Sequence, residues 1–348
     1  MPAEWERHES TWLAWPHNRT DWPGKFDVIP WVYADIVRHL SRVENVNIIV
    51  GSQGAKEKAR KVLTLSHADL KRIRFHVWPT DRGWTRDSGP IFVKADRKAE
   101  TASLTAINWR FSAWAKYPDW KLDNRLPERI AKKLKLEQFK PMVELNGRPY
   151  HVVLEGGSID VNGQGLMLTT EECLLSKVQQ RNPGLSRQNM EQIFADYLGA
   201  EKVIWLGCGI VGDDTHGHVD DISRFVAADT VLTVVEPGRG DANYEPLQEN
   251  LRRLRAATDL QGRKLRIVEL PLPRAVVFRG QRLPASYANF YIANAAVIVP
   301  TFNDPNDRIA LGTFAELFKD RPVVGIHAVD LVLGFGTLHC LTQQQPAG

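Results

Sequence analysis

Five short stretches hold residue types able to do chemistry. They are Trp84-Thr85-Arg86-Asp87, Glu155-Gly156-Gly157, His216-Gly217-His218-Val219-Asp220, Ser286-Tyr287-Ala288-Asn289 and Gly336-Thr337-Leu338-His339-Cys340. Cys340 with His218 suits nucleophilic catalysis, because an imidazole can help form the thiolate and then protonate a leaving group. Asp87, Glu155 and Asp220 are unexpected beside such a pair, since nearby carboxylates raise a thiol's pKa. An acyl-transfer site would present oxyanion donors instead. The set becomes coherent for a cationic substrate, above all a planar guanidinium, whose N–H forks match carboxylates two at a time.

The same stretches admit other readings. His216-x-His218-x-Asp220 has the look of a short metal-ligand cluster, the mark of a metal hydrolase, but isolated histidines elsewhere offer it no further ligands. A non-catalytic binding protein that keeps the fold is a second alternative, against which the intact set of acids, histidine and thiol counts. The expectation is therefore no metal and no cofactor. Cys173 and Cys208 lie in or beside apolar segments and read as inert core thiols. His339 would point to the opposite face from Cys340 on a strand, which suggests a structural role. Trp84 could stack on a guanidinium, and Trp12 could line the mouth of the site. Asp213 and Asp214 could receive a second positive charge. Arg86, the cation carried by these stretches, reads equally well as structural.

The elements that must position these residues repeat. Apolar residues recur with helical spacing over 30 to 42, 127 to 135, 185 to 199, 244 to 257 and 306 to 319. Ser186 and Asn306-Asp307 supply start signals for two of these helices. Each is followed by a strand-like segment: NVNIIV from Asn45, YHVVLE from Tyr150, KVIWL from Lys202, LRIVEL from Leu265 and RPVVGI from Arg321. Hairpin-like pairs lie between, namely GPIFV with LTAINW, SIDVN with GLMLTT, ISRFV with DTVLTVV, and NFYIA with AAVIVPT. Pairing HESTWLAWP near the start with LHCLTQQQ near the end supplies the fifth. The expected fold is α/β, a closed ring of five ββαβ-like units forming one domain over 1–348, with the five chemical stretches converging on a central cavity. An open parallel sheet is the rival, but hairpins between helices are awkward for it.

The motifs WTRDSGP, LEGGSI, GDDTHGHVDD, SYANFYIAN and GTLHCLTQQQP, with the opening MPAEWERHESTWLAWP, resemble those of agmatine deiminases in the wider peptidyl-arginine deiminase and pentein group. The resemblance covers essentially the whole chain. It implies a five-bladed pseudo-fivefold α/β propeller, Cys340 as nucleophile, His218 as proton-transfer residue, and Asp87, Glu155 and Asp220 as guanidinium-binding acids. It further implies hydrolysis of agmatine to N-carbamoylputrescine and ammonia through a covalent amidino-cysteine, without a cofactor. Deimination of peptidyl-arginine or another guanidine is the alternative. Two segments depart from the pattern, because Phe335 and Ala115 stand among positions where these enzymes carry glycine. Phe and Ala hold positive φ poorly, so both loops are expected to be reshaped, and both border the substrate.

Composition agrees with a soluble enzyme of a small molecule. The 348 residues are 43% hydrophobic and 25% charged, near globular averages. A formal charge of +4 with scattered Lys and Arg gives no nucleic-acid footprint. No apolar run approaches the ~18 residues of a membrane helix. The polar MPAEWERHES is unlike a signal peptide, and a cytoplasmic location follows by default. Three widely spaced cysteines fit neither a disulfide framework nor a zinc site. A homo-oligomer is left open.

Overall fold

A computed structural model describes residues 1–94 and 103–348. It is mixed α/β and contains five sheets that share one plan: an antiparallel pair, a helical connection, and a third strand parallel to the second. Ile91–Lys94 and Leu104–Ile107 pair antiparallel, the helix Leu126–Leu134 crosses over, and Gln138–Phe139 joins in parallel. Asp160–Val161 and Leu166–Thr170 lead through Arg187–Leu198 to Lys202–Leu206. Ser223–Ala227 and Thr230–Val235 lead through Tyr244–Ala256 to Arg266–Pro271. Tyr291–Ala293 and Ala296–Thr301 lead through Pro305–Leu317 to Val323–His327.

The fifth sheet is completed by distant parts of the chain. Gln343–Pro346 lies antiparallel to His8–Ala14, with Ser10 opposite Gln345 and Thr11 opposite Gln344. His8–Ala14 then leads through the helix Ile29–Val43 to Asn45–Val50. This sheet carries a fourth strand, Ile73–Val77, reached through the helix Gln53–Leu65.

Local sequence accounts for these elements. Ile29, Tyr33, Ile36, Val37 and Leu40 return to one face of the first long helix, and all are buried. Ser186 and Asn189 form a reciprocal capping box at the start of Arg187–Leu198. Asn162-Gly163 makes the expected tight turn, with Gly163 at φ +73°. The middle strands Leu166–Thr170 and Thr230–Val235 are covered on both faces, which is why they read as nearly continuous apolar runs.

Three expectations need correction. YHVVLE from Tyr150 is not the third strand of its unit: Arg148–His151 closes a separate hairpin with Met142–Leu145, and Gln138–Phe139 takes the sheet position. The helix expected from Asn306 starts at Pro305 with Asp304 as its cap, because Pro presets the first helical φ and the Asp304 side chain accepts from Asn306 N. The helix Gln53–Leu65 was not anticipated: its only buried residues are Ala59 and Leu63, too few to make a periodic signal. Among the described residues no helix is long and apolar enough to cross a membrane.

Candidate active site

Cys340 lies in the short helical turn Leu338–Leu341 and is almost fully buried. Asn289 builds the turn around it. The Asn289 amide donates to Cys340 Sγ and to Asp221 Oδ1, each at 3.0 Å. Its carbonyl oxygen accepts from the backbone amides of Thr337, His339 and Cys340 at 3.1–3.3 Å. Asp220 Oδ2 lies 3.7 Å from the sulfur. Burial pushes the thiol pKa well up, and Asp220, Asp221 and Asp87 push it further. At rest this sulfur is a thiol.

His218 is completely buried, with Asp87 Oδ1 3.8 Å from Nδ1 and Glu155 Oε2 3.8 Å from Nε2. Burial alone would depress its pKa. The facing Asp87 and Glu155 carboxylates reverse that and hold the imidazolium. Asp87 is fixed by Gly157 N to Oδ1 at 3.0 Å and Trp114 Nε1 to Oδ2 at 2.9 Å. Burial raises its carboxyl to about 6, against the pull of His218. Burial is the largest influence and works to raise Glu155, but Arg181 and His218 together outweigh it and keep the carboxyl below its ordinary range. Asp220 bonds His339 Nδ1 at 2.7 Å, and that partner holds it low against burial.

The backbone lets these groups come close. A Cβ on Gly157 would sit 2.6 Å from His218 Nδ1 and 2.9 Å from Asp87 Oδ1. One on Gly336 would sit 2.8 Å from the Trp84 ring and 3.0 Å from Cys340 Sγ. Both positions are therefore closed to any larger residue.

A cavity of about 130 Å³ opens onto Cys340 and Asp87 between the rings of Trp84 and Trp114. Phe335 and Thr215 complete its wall, and Asp21, Arg82 and Asp214 add charge. Phe335 holds φ +65°, and Ala113, Trp114 and Ala115 follow one another at +47°, +59° and +53°. The loops that depart from glycine thus keep left-handed backbone despite their side chains, at roughly 1–2 kcal/mol per residue. The result aims the Trp114 indole at Asp87.

Not every expected residue meets the cavity. Trp12 is wholly buried in the core, stacked near Trp78 and bonded through Nε1 to Gln345, because it sits in the strand His8–Ala14. The Asp213 carboxylate is consumed by Thr215 N and Oγ1, Gly217 N and His218 N, so it shapes the histidine loop. Asp214 does face the cavity, held by Lys116 and by the Tyr117 hydroxyl at 2.6 Å. His216 turns away from His218 toward Ser176 (3.2 Å) and Glu172 (3.8 Å), so the His-x-His-x-Asp spacing gathers no ligand set. His339 lies on a helical turn rather than a strand, and bridges Asp220 to Glu4. Arg86 is buried between Glu4, Gln344 and the His339 carbonyl, a structural cation.

Sequence reading missed several residues. Cys173 is no remote core thiol: its sulfur, a His218 ring nitrogen and a Glu155 oxygen all lie within 4.8 Å of one another. Cys208 is exposed. Asp21 and Arg82 reach the cavity as an ion pair from loops without a motif. Asn289 stood inside a quoted motif, and its place at a strand mouth was its signal. Trp114 adjoins Ala115 in a loop expected to border the substrate, and Arg181 gave no signal.

Residues 1–346 match the profile of Porphyromonas-type peptidyl-arginine deiminases. A Legionella pneumophila protein provisionally named agmatine deiminase is 35% identical over 99% of this chain and 95% of its own length. One from Selenomonas ruminantium, named likewise, is 37% identical over 100% and 95%. The agmatine deiminase of Enterococcus faecalis superposes with a TM-score of 0.87 at 33% identity, covering 99% of this chain and 95% of that one. A cysteine-to-serine variant of the C. jejuni agmatine deiminase with substrate bound gives 0.85 at 30% identity, covering 100% and 96%. With the match running through every segment that builds the cavity, the chain belongs to the Porphyromonas-type peptidyl-arginine deiminase family.

Proposed function

We propose that this chain is an agmatine deiminase, converting agmatine and water to N-carbamoylputrescine and ammonia. The observation that carries the reading is the meeting of the Cys340 thiol, which has Asp220 3.7 Å from its sulfur, with Asp87 in a cavity whose charged lining is Asp21, Asp87 and Asp214 against Arg82 alone. Such a lining favours a dication over a zwitterion. The relatives' names point the same way.

In this reading Asp87 and Asp220 hold the guanidinium while Trp84 covers its flat face. The bound cation lowers the cost of ionising Cys340, which releases its proton to solvent through the cavity and attacks the guanidinium carbon. The His218 imidazolium gives a proton to the departing ammonia, leaving an amidino-thioether. Neutral His218 then takes one proton from water as it attacks, and the intermediate collapses to the ureido product as its hydroxyl proton passes to the departing sulfur and restores the thiol. Glu155 steadies the imidazolium in both halves. Asp214 and Asp21 receive the distant ammonium. No step draws on a metal or cofactor. The five sheets are read as blades of one closed ring in a single domain, which brings the five chemical stretches to one mouth.

A substrate panel tests this. Agmatine is expected to exceed free arginine in kcat/KM by roughly thirtyfold, because desolvating a carboxylate beside these acids costs on the order of 2 kcal/mol. Arg82 and Lys116 each pair with an aspartate, and Asp87 leaves the site negative even with both cations counted. Better turnover of arginine or of an arginine peptide overturns the substrate assignment.

A further inference from the structure

Glu155 and Arg181 form an ion pair completely removed from water. Arg181 Nε donates to both Glu155 oxygens, at 3.2 and 3.3 Å. Its other nitrogens donate to backbone carbonyls, Nη1 to Gln179 O at 2.9 Å and Nη2 to Thr215 O. The same Glu155 Oε2 that Arg181 contacts lies 3.8 Å from His218 Nε2.

Arg181 sits on a strap, residues 176–182, that reaches several walls of the site. Gln179 Nε2 donates to the carbonyls of Trp114 at 3.2 Å and Asp214 at 3.1 Å. Asn182 bonds both the N–H and the carbonyl of Val153 at 2.8 Å, two residues ahead of Glu155. The other ionisable groups around Glu155 and His218 come from four elements. Asp87 lies in the turn Thr85–Ser88, Asp220 and Asp221 in the turn Val219–Asp221, Cys173 in the short helix Glu171–Leu175, and Asp213 in the loop ahead of His218. Of all these groups only Arg181 carries a permanent positive charge. A carboxyl buried without it would keep its proton.

We propose that Arg181 is a positioning residue for the deimination reaction: its guanidinium keeps Glu155 a carboxylate against His218 and ties both to the Thr215 carbonyl at the cavity wall. The inference rests on the deiminase reading above. Its consequence falls on the hydrolytic half-reaction, where neutral His218 must take a proton from water. An ionised Glu155 stabilises the imidazolium that forms, and a protonated one does not.

The test is the pH profile of kcat, which reports the substrate complex, where Asp87 is already paired with the cation. Arg181→Gln is expected to move the acid limb up by about one pH unit or more, the shift that loss of a neighbouring opposite charge produces. It then loses roughly tenfold more activity at pH 6 than at pH 8. Arg181→Lys keeps the charge without the fork and should show an intermediate displacement. In the double variant Arg181→Gln/Glu155→Gln the displaced limb disappears, because the titrating group is gone. A folded Arg181→Gln that loses activity in equal proportion at every pH assigns Arg181 to packing and overturns the proposal. Should that variant not fold, an Arg181→Lys protein that loses activity in equal proportion at every pH overturns it equally. Wild-type protein that turns over no guanidine would defeat the deiminase reading itself, whereas active protein with unmoved limbs defeats only this inference.

Discussion

Burial, Asp220, Asp221 and Asp87 push the Cys340 thiol well up, so in the proposed mechanism its ionisation waits for a bound cation. Cys340→Ser is expected to abolish turnover, since an alcohol is a far poorer nucleophile near neutral pH. Exposed Cys208 should tolerate the same change, and comparable loss at both would defeat the assignment. Asp87 gives a pH signature of definite sign. Its carboxyl is raised to about 6 in the free enzyme, and only the ionised form attracts a guanidinium. Thus kcat/KM for agmatine should fall as pH drops through about 6, and the measurement is a profile at substrate concentrations well below KM. Five acidic, histidine and thiol residues were legible because each stood in a motif at a strand mouth. Trp114, Asp21 and Arg181 were not, since their roles arise from contacts with residues 27, 61 and 26 positions away.

Elements were legible where one face is buried along many turns, as in Ile29–Val43, and where strands alternate around a turn residue. They were illegible where burial is slight, as in Gln53–Leu65, or where a handful of residues bend for the site's sake. The turn Gly156–Ser158 belongs to the second kind. Gly157→Ala tests it: a Cβ 2.6 Å from the His218 ring must displace the imidazole or Asp87. Loss of kcat on the order of 100-fold is expected with the fold retained, the usual cost of an ångström's misplacement. Near-normal turnover would show that the close approach is not needed. The left-handed stretch Ala113–Ala115 made a different lesson, because glycine-poor sequence argued against a backbone that the Trp114–Asp87 bond nonetheless sustains.

At the scale of the molecule, the pairing of HESTWLAWP with the segment from Leu338 was readable from the repeat count, which lacked one hairpin. The strand itself starts only at Gln343, after a helical turn, and the charge network beneath it was not readable. Glu4 joins Arg86 (3.1 Å), Arg224 (2.9 Å) and His339 (2.8 Å) in the interior. Burial opposes its ionisation, but Arg224 and His339 carry its pKa well below the usual range. A depressed carboxyl contributes stability in full above its unfolded pKa and loses it as pH falls through the folded value, so this contribution should begin to decline at about pH 4 and fade progressively below it. Glu4→Gln leaves two buried arginines short of charge and should cost about 3 kcal/mol or more, read by denaturant unfolding at pH 7. An unchanged midpoint would show the network to be neutral. The end pairing also imposes an order on synthesis. Ser10 leaves the ribosome 335 positions ahead of its partner Gln345, and the proposed nucleophile is carried on the turn just before that later strand. A nascent chain can assemble the other four sheets and still lack the Cys340 sulfur, so on the proposed reading catalysis waits until Gln343–Pro346 docks beside His8–Ala14.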